Sequence, residues 1–201
     1  MSGLWLEREP LILASKSAIR AMILEDAGVP AEIRPAAIDE RAVEARLASS
    51  SPADVAAGLA RSKALDISAP GRLVLGCDQT LSLGQVRFTK PRSREDGRAQ
   101  LARLSGKTHV LSSGAALARD GTIVWSAAAE ARLTMRELSE PFVDAYLDAA
   151  GEAVLTSVGG YQFEGVGAQL FAEVEGDFFT ILGLPLLPLL ETLRDLGALA
   201  R

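Results

Sequence analysis

Short apolar runs alternate along this chain with segments in which apolar residues recur at helical spacing. A strand is predicted over residues 11–14, and Ala18, Met22 and Ile23 then predict a helix that Gly28 ends. The alternation continues without repeats or low-complexity segments. It favours an α/β or α+β layer architecture over a helical bundle or a β-sandwich.

The clearest buried strand runs through Leu73, Val74 and Leu75, which form an apolar run without polar alternation. We expect this strand to end on Asp78 and so to place one carboxylate at its tip. Residues 81–88 then predict a hairpin that turns at Gly84-Gln85.

Capping and turn signals predict the remaining elements. Ser51, Ser93 and Ser139 each stand where a helix N-cap is expected, and Asp120-Gly121 is a strong hairpin signal. The other predictions are strands over 31–35, 109–117 and 122–134, helices over 42–47 and 186–196, and a hairpin about Gly176 after a glycine-rich loop. Because no linker-like stretch interrupts the chain, we expect a single domain over residues 1–201.

Composition and charge narrow the possible functions. The chain has 201 residues, 48% of them hydrophobic and 23% charged, which is the balance of an ordinary globular protein. Its net charge of -5 and pI near 5.0 lack the basic footprint of proteins that bind nucleic acid or anionic membranes. Any phosphate that it binds must therefore occupy a local cationic pocket.

The single cysteine, Cys77, cannot form an intramolecular disulfide, and no Cys or His stands at zinc-ligand spacing. No apolar stretch reaches the roughly 20 residues that a membrane span needs, and the N-terminus lacks a signal-peptide pattern. We therefore expect a cytoplasmic protein. His109 has no nearby nucleophile or acid, so we expect a buried or edge histidine rather than a general base.

The segment from Ser15 to Arg20 is the first candidate for phosphate binding. A helix that begins just after Ser15 and Ser17 presents backbone N–H groups, hydroxyls and the positive end of its dipole to phosphate oxygens. Arg20 would lie on its first turn, where it could grip phosphate bidentately. The alternative is that Ser17 only caps the helix and that Arg20 is solvated.

Charged residues elsewhere could complete such a site. Lys63 and Lys90 are candidates for further phosphate contacts, although most lysines are simply solvated. Glu40, which follows Asp39 in an expected loop, could help Asp78 hold a hard cation through oxygen ligands. Both acids also have ordinary roles, as surface charge and as a turn residue.

The order of these motifs resembles the Maf, or septum formation, proteins. The matching segments are 11–17 with Arg20, Ile38-Asp39-Glu40, Lys63-Ala64, 74–78, Lys90-Pro91, Leu104-Ser105-Gly106 with His109, Gly165 with Gly167, and Gly183-Leu184-Pro185. The resemblance covers residues 11 to 197, nearly the whole chain.

The resemblance implies a nucleoside triphosphate pyrophosphatase that cleaves between the α and β phosphates and needs Mg²⁺ or Mn²⁺. It also implies an α/β fold with a mixed, twisted sheet flanked by helices, two lobes and a central cleft, often in a homodimer. Carried over by position, the triphosphate ligands would be Ser15, Arg20, Lys63 and Lys90. Glu40 would assist with metal or water, and Asp78 would be catalytic, as base, metal ligand or both.

Three positions bear on the substrate that the resemblance implies. Gln79 and Glu164 look like the branch associated with 7-methyl-GTP rather than the branch associated with dTTP and UTP. An aromatic residue commonly stands in that branch where this chain has Ile19, so a cationic base would lose a stacking partner here.

Two other functions compete with this one. The chain could act as a cell-division regulator, but the acidic balance argues against nucleic acid, and a regulator does not need this set of cations and acids. An inosine triphosphate pyrophosphatase of related architecture carries glycine and lysine motifs that this chain lacks.

Overall fold

The computed structural model describes residues 3–201. Its strands are β1 (Leu11–Leu13), β2 (Ala31–Ile33), β3 (Leu73–Leu83), β4 (Val86–Phe88), β5 (Thr108–Arg119), β6 (Thr122–Met135) and β7 (Phe171–Glu175). Its helices are α1 (Ala18–Asp26), α2 (Glu40–Arg46), α3 (Pro52–Asp66), α4 (Arg94–Leu104), α5 (Glu140–Ala150), α6 (Ala153–Thr156), α7 (Phe178–Ile181) and α8 (Leu186–Asp195). Short 3₁₀ turns cover Val158–Gly160 and Val166–Leu170.

Within these residues the strands form a seven-stranded mixed sheet in the order β2-β1-β3-β5-β6-β7, with β4 paired to β3. β1 lies parallel to β2 and to β3, whereas the β3–β4 and β6–β7 pairs are antiparallel. Helices connect the parallel strands, as such connections require. The predicted fold class, a mixed α/β sheet flanked by helices, is confirmed.

The chain divides into two compact units. The first unit holds residues up to 79, 113–129 and 182–201, and the second holds 80–112 and 130–181. The prediction of a single domain stays a prediction.

In the first unit, small residues let α3 pack closely on the sheet. Its core contains Ile12, Val74 and Ala116 with Ala60 and Ala64 of α3. At Gly76 any Cβ would clash with the carbonyl oxygen of Ala60 and lie 2.6 Å from the backbone nitrogen of Ala64. Only glycine allows this backbone contact, which aligns the last turn of α3 with the middle of β3.

The core of the second unit joins β3–β6 to α4 and α5 through large apolar side chains, among them Leu101, Leu133 and Leu147. His109 is fully buried in this unit, and its Nε2 lies 2.7 Å from the hydroxyl oxygen of Tyr161. Burial lowers the pKa of His109 to about 4. The prediction of a buried histidine is confirmed.

The prediction that a strand ends on Asp78 is wrong. β3 continues from Leu73 to Leu83, so Asp78 and Gln79 lie in its middle as two half-buried positions between buried ones. The strand tolerates them because Asp78 contacts Lys63 and Gln79 contacts Ser113. Such partners come from other elements, so the local sequence pattern could not indicate them.

The prediction of a hairpin about Gly176 is also wrong. β7 pairs antiparallel with the preceding strand β6, and a short helix rather than another strand follows Gly176. The carboxylate of Asp177 accepts hydrogen bonds from the backbone nitrogens of Phe179 and Thr180, at 3.0 and 2.8 Å, and so starts that helix. The Gly84-Gln85 and Asp120-Gly121 turns and the three serine caps are confirmed.

Candidate active site

Lys63 lies between two carboxylates in the first unit. Its Nζ is 2.7 Å from Oδ1 of Asp78 and 2.7 Å from Oε1 of Glu40. The side chains of Lys63 and Asp78 are each 13% exposed, whereas that of Glu40 is 56% exposed. The arrangement is a cation held between one buried and one accessible acid.

Local sequence explains how the three residues meet. Lys63 stands in the last turn of α3, which the Gly76 contact holds against β3 two residues before Asp78. The side chain of Asp39 accepts a hydrogen bond from the backbone nitrogen of Ala42 at 3.1 Å and caps α2. Glu40 therefore begins that helix, and the expectation that it lies in a loop is wrong.

The pKa values of both Asp78 and Lys63 are raised in this ion pair. Burial raises the pKa of Asp78 above its ordinary value, although the charge and hydrogen bond of Lys63 oppose this shift. Burial by itself would lower the pKa of Lys63, but Asp78 and then Glu40 outweigh it and raise that pKa. Lys63 therefore stays charged, and Asp78 is a stronger base than an ordinary carboxylate. Such a perturbed pair is typical of catalytic groups.

The turn before α1 is built as a small polar cradle. Oγ of Ser17 accepts a hydrogen bond from the backbone nitrogen of Arg20 at 3.4 Å and caps the helix. Oγ of Ser15 accepts from the backbone nitrogen of Ser17 at 3.3 Å and from Nη1 of Arg20 at 3.1 Å. Because both bonds use Ser15 as acceptor, its own hydroxyl proton can be donated to a phosphate oxygen.

Arg20 joins three segments of the first unit. Besides Ser15, it donates from Nε to the carbonyl oxygen of Gly183 at 2.8 Å and from Nη1 to that of Cys77 at 3.3 Å. The alternative of a solvated arginine is therefore wrong. The bidentate grip on phosphate stays a prediction, and it would draw on a guanidinium that these acceptors already orient.

The carboxylates suit a hard divalent cation that a substrate helps to bind. Oxygens of Glu40 and Asp78 converge on one cationic position, that of the Lys63 ammonium. Among residues 3–201 no cluster of three or more His, Cys, Asp or Glu could hold a metal ion. Two carboxylates completed by substrate phosphates and water are how proteins usually bind Mg²⁺, so these residues fit the predicted metal.

The three predicted specificity residues, Ile19, Gln79 and Glu164, and the predicted phosphate ligand Lys90 are distributed over both units. In the first unit, Ile19 is half-buried on α1, and Nε2 of Gln79 donates to Oγ of Ser113 at 3.0 Å. In the second unit, Lys90 is exposed before α4 and Glu164 is exposed in the glycine-rich loop, defined here as residues 158–167. The roles of these four residues stay predictions.

Sequence reasoning missed the groups that hold the functional side chains. Gly183 was visible only as part of a motif, with no indication that its carbonyl binds Arg20. Nothing in the sequence marked Ser113 as the partner of Gln79. The alanines of α3 at positions 56, 57, 60 and 64 were a usable signal, because a helix rich in small residues packs closely on a sheet.

The chain resembles a known family over nearly its whole length. The family model described as "Maf-like protein" matches residues 10–196. A protein of Rhodopseudomonas palustris (strain BisB18) named "Nucleoside triphosphate pyrophosphatase" is 53% identical over 199 residues, covering 98% of each chain. One of that name from Bradyrhizobium diazoefficiens is 54% identical over 195 residues, covering 96% of each chain.

A second name occurs among relatives of equal similarity. A protein of Rhizobium etli named "7-methyl-GTP pyrophosphatase" is 53% identical over 193 residues, covering 94% of this chain and 97% of its own. Overall identity therefore does not separate the two names.

Within residues 3–201, no helix combines the length and apolar character needed to cross a bilayer.

Proposed function

This chain belongs to the Maf family, and on that premise we propose that it is a nucleoside triphosphate pyrophosphatase. It hydrolyses the bond between the α and β phosphates and releases a nucleoside monophosphate and pyrophosphate. The names of relatives at about half identity support this assignment. The observation that carries it is the position of Lys63 between Asp78 and Glu40.

Asp78 is the group that acts on water. Its raised pKa makes it more basic than an exposed aspartate, so it can orient the attacking water and take its proton. Lys63 keeps the carboxylate ionised through their 2.7 Å contact. When a triphosphate enters, the same ammonium can turn toward phosphate oxygens, and Asp78 then becomes available to water.

The cradle before α1 binds phosphate in this mechanism. The hydroxyl of Ser15 donates to a phosphate oxygen, and Arg20 supplies positive charge from a guanidinium that Gly183 and Cys77 hold in place. Ser17 acts indirectly, because its hydroxyl fixes the first turn of the helix. The positive end of α1 adds to the attraction.

Two acids of the site fit the divalent cation that the family resemblance implies. Glu40 and Asp78 are the residues that would hold Mg²⁺ or Mn²⁺, which when bound polarises the phosphoryl oxygens of the substrate. Lys90 is a further predicted phosphate ligand, as the family resemblance implies.

Among possible bases we favour 7-methylguanine. The carboxylate of Glu164 can accept hydrogen bonds from N1–H and the exocyclic amino group of a guanine, and its charge favours the cationic N7-methylated ring. Uracil and thymine offer one N–H beside two carbonyl oxygens that a carboxylate repels. The alternative substrate class is therefore dTTP and UTP.

The test is a panel of nucleoside triphosphates incubated with the protein and Mg²⁺ or Mn²⁺. We expect equal amounts of monophosphate and pyrophosphate, with 7-methyl-GTP turned over faster than UTP or dTTP. Orthophosphate as the first product would contradict the proposed reaction. Faster hydrolysis of UTP or dTTP would contradict only the proposed base.

A further inference from the structure

Gln100 connects two segments of the second unit through both ends of its side-chain amide. Its Nε2 donates to the carbonyl oxygen of Thr89 at 2.9 Å, and its Oε1 accepts from the backbone nitrogen of Gly159 at 3.2 Å. The two backbone partners dictate which end of the amide faces which segment. Gln100 itself is half-buried on α4.

The backbone around Gly159 is shaped for this contact. Gly159 has a φ of +79°, and a Cβ there would lie 2.7 Å from Leu81 and 2.8 Å from Tyr161. Gly97, one turn before Gln100 on α4, also lacks room, because a Cβ would lie 2.5 Å from Val154. The close approach of the loop to α4 is seen at the next residue, Gly160, where a Cβ would lie 3.7 Å from Cα of Gly97.

Each segment carries a residue of the proposed substrate site. Thr89 precedes Lys90 in the Lys90 segment, defined here as residues 89–92, and Gly159 lies in the glycine-rich loop five positions before Glu164. Lys90 and Gln100 line one cavity of about 300 Å³, together with Arg92 and Arg103. The same amide therefore contacts the segment of the phosphate-binding lysine and the loop of the base-recognising acid.

We propose that Gln100 is a positioning residue that fixes the Lys90 segment and the glycine-rich loop in one arrangement, so that the cation and the carboxylate engage the same nucleotide. This inference rests on the proposed function for the roles of Lys90 and Glu164. Only a side chain with a donor and an acceptor at this reach satisfies both segments. Methionine offers no donor and only a weakly accepting sulfur, and glutamate keeps only the acceptor.

The experiment compares Gln100→Met and Gln100→Glu with the wild type and with Gln85→Met. The last variant makes the same change at the exposed tip of the β3–β4 hairpin. Circular dichroism and thermal unfolding establish that each variant folds. Two readouts follow, namely hydrogen exchange at the amide of Gly159 and the kinetics of 7-methyl-GTP and UTP hydrolysis.

In Gln100→Met we expect the Gly159 amide to exchange at least ten-fold faster. We also expect KM to rise about ten-fold with kcat within about three-fold, and the preference between the two nucleotides to shrink, because two hydrogen bonds that position binding groups are lost. In Gln100→Glu the Gly159 amide should stay protected while KM still rises. Gln85→Met should match the wild type in both readouts.

Unchanged Gly159 exchange in folded Gln100→Met would overturn the connection between the segments. Unchanged KM and preference, with exchange accelerated, would overturn its role in substrate positioning. If Gln100→Met does not fold, Gln100→Glu decides through its KM. If the wild type hydrolyses no nucleotide, the proposed function fails and the positioning role fails with it, while the exchange readout still shows whether Gln100 joins the segments.

Discussion

The ammonium of Lys63 lies 2.7 Å from the carboxylate of Asp78, and both side chains are largely buried. Removing one member of such a pair leaves an unbalanced charge away from water, which typically costs about 3–5 kcal/mol. Here Glu40 also contacts Lys63, so a part of that balance persists when Asp78 is neutralised. The pair thus ties catalysis and stability to the same two residues.

The first prediction concerns Asp78→Asn. The substitution keeps the shape of the side chain but removes its charge and basicity, so we expect turnover to fall about 10²-fold or more. The free energy of unfolding should change by about 1 kcal/mol or less, because burial already disfavours the charge of Asp78 and Glu40 still balances Lys63. Steady-state kinetics and urea unfolding measure the two effects. Asp148→Asn, at a position 75% exposed, is the control. Near-normal turnover with saturating metal would reject Asp78 as the catalytic residue.

The second prediction concerns the pH dependence of hydrolysis. Asp78 must be ionised to accept a proton, and because burial raises its pKa, activity should begin to fall at a higher pH than an ordinary aspartate would give. Lys63 acts in the opposite direction on this pKa. In Lys63→Met the acidic limb of the kcat/KM profile should therefore move to higher pH, besides any loss of rate.

The matched control for that profile is Lys107→Met, which removes an exposed lysine of the second unit. Its acidic limb should coincide with that of the wild type. If the acidic limb of the kcat/KM profile of Lys63→Met coincides with that of the wild type, another group limits activity at low pH.

The third prediction concerns Gly76→Ala. The added methyl group would clash with the carbonyl oxygen of Ala60, so α3 must shift away from β3 and carry Lys63 with it. We expect the free energy of unfolding to fall by about 1–3 kcal/mol or more, and activity to fall as well. Chemical unfolding and kinetics test this. Gly3→Ala, where a Cβ meets nothing within 4 Å, should change both by little.

The local sequence was sufficient for most elements, because caps and turns act within a few residues. Ser51, Ser93 and Ser139 start helices where expected, and Asp120-Gly121 forms its turn with positive φ at both residues. The course of β3 through Asp78 was not predictable, because its polar positions depend on Lys63 and Ser113 from other elements.

In the candidate site, too, local sequence predicted some features and tertiary packing determined the others. Its residue types followed from charge, spacing and family resemblance. The contacts between them, such as Arg20 with the carbonyl of Gly183, join residues far apart in sequence and arise only from tertiary packing. The sequence could therefore predict a phosphate-binding role for Arg20 without showing how its guanidinium is oriented.

The fourth prediction concerns stability at acidic pH. His109 has a pKa of about 4 in the folded protein because of burial, whereas an unfolded histidine titrates near 6.5. The unfolded state therefore binds more protons as the pH falls from about 6.5 to 4, and the protein should lose about 3 kcal/mol of stability over that range. In His109→Gln the loss of stability that protonation of His109 causes should be absent. The free energy of unfolding at neutral pH should be lower than in the wild type, because the contact with Tyr161 changes.

Urea unfolding at a series of pH values measures that difference. Between pH 6.5 and 4, the free energy of unfolding of the wild type should decrease more steeply than that of His109→Gln. Parallel curves would mean that buried His109 does not control acid sensitivity and that carboxylates dominate it.

The last prediction concerns Glu164→Gln and the choice of nucleotide. A charge-assisted hydrogen bond contributes about 1.5–3 kcal/mol, and glutamine keeps the size of the side chain while it removes the charge. We therefore expect hydrolysis of 7-methyl-GTP to fall roughly ten-fold or more relative to UTP. Glu173→Gln, at an exposed position of β7, should leave the ratio of the two rates unchanged. An unchanged ratio in Glu164→Gln would show that Glu164 does not recognise the base, whereas the pyrophosphatase activity itself would still stand.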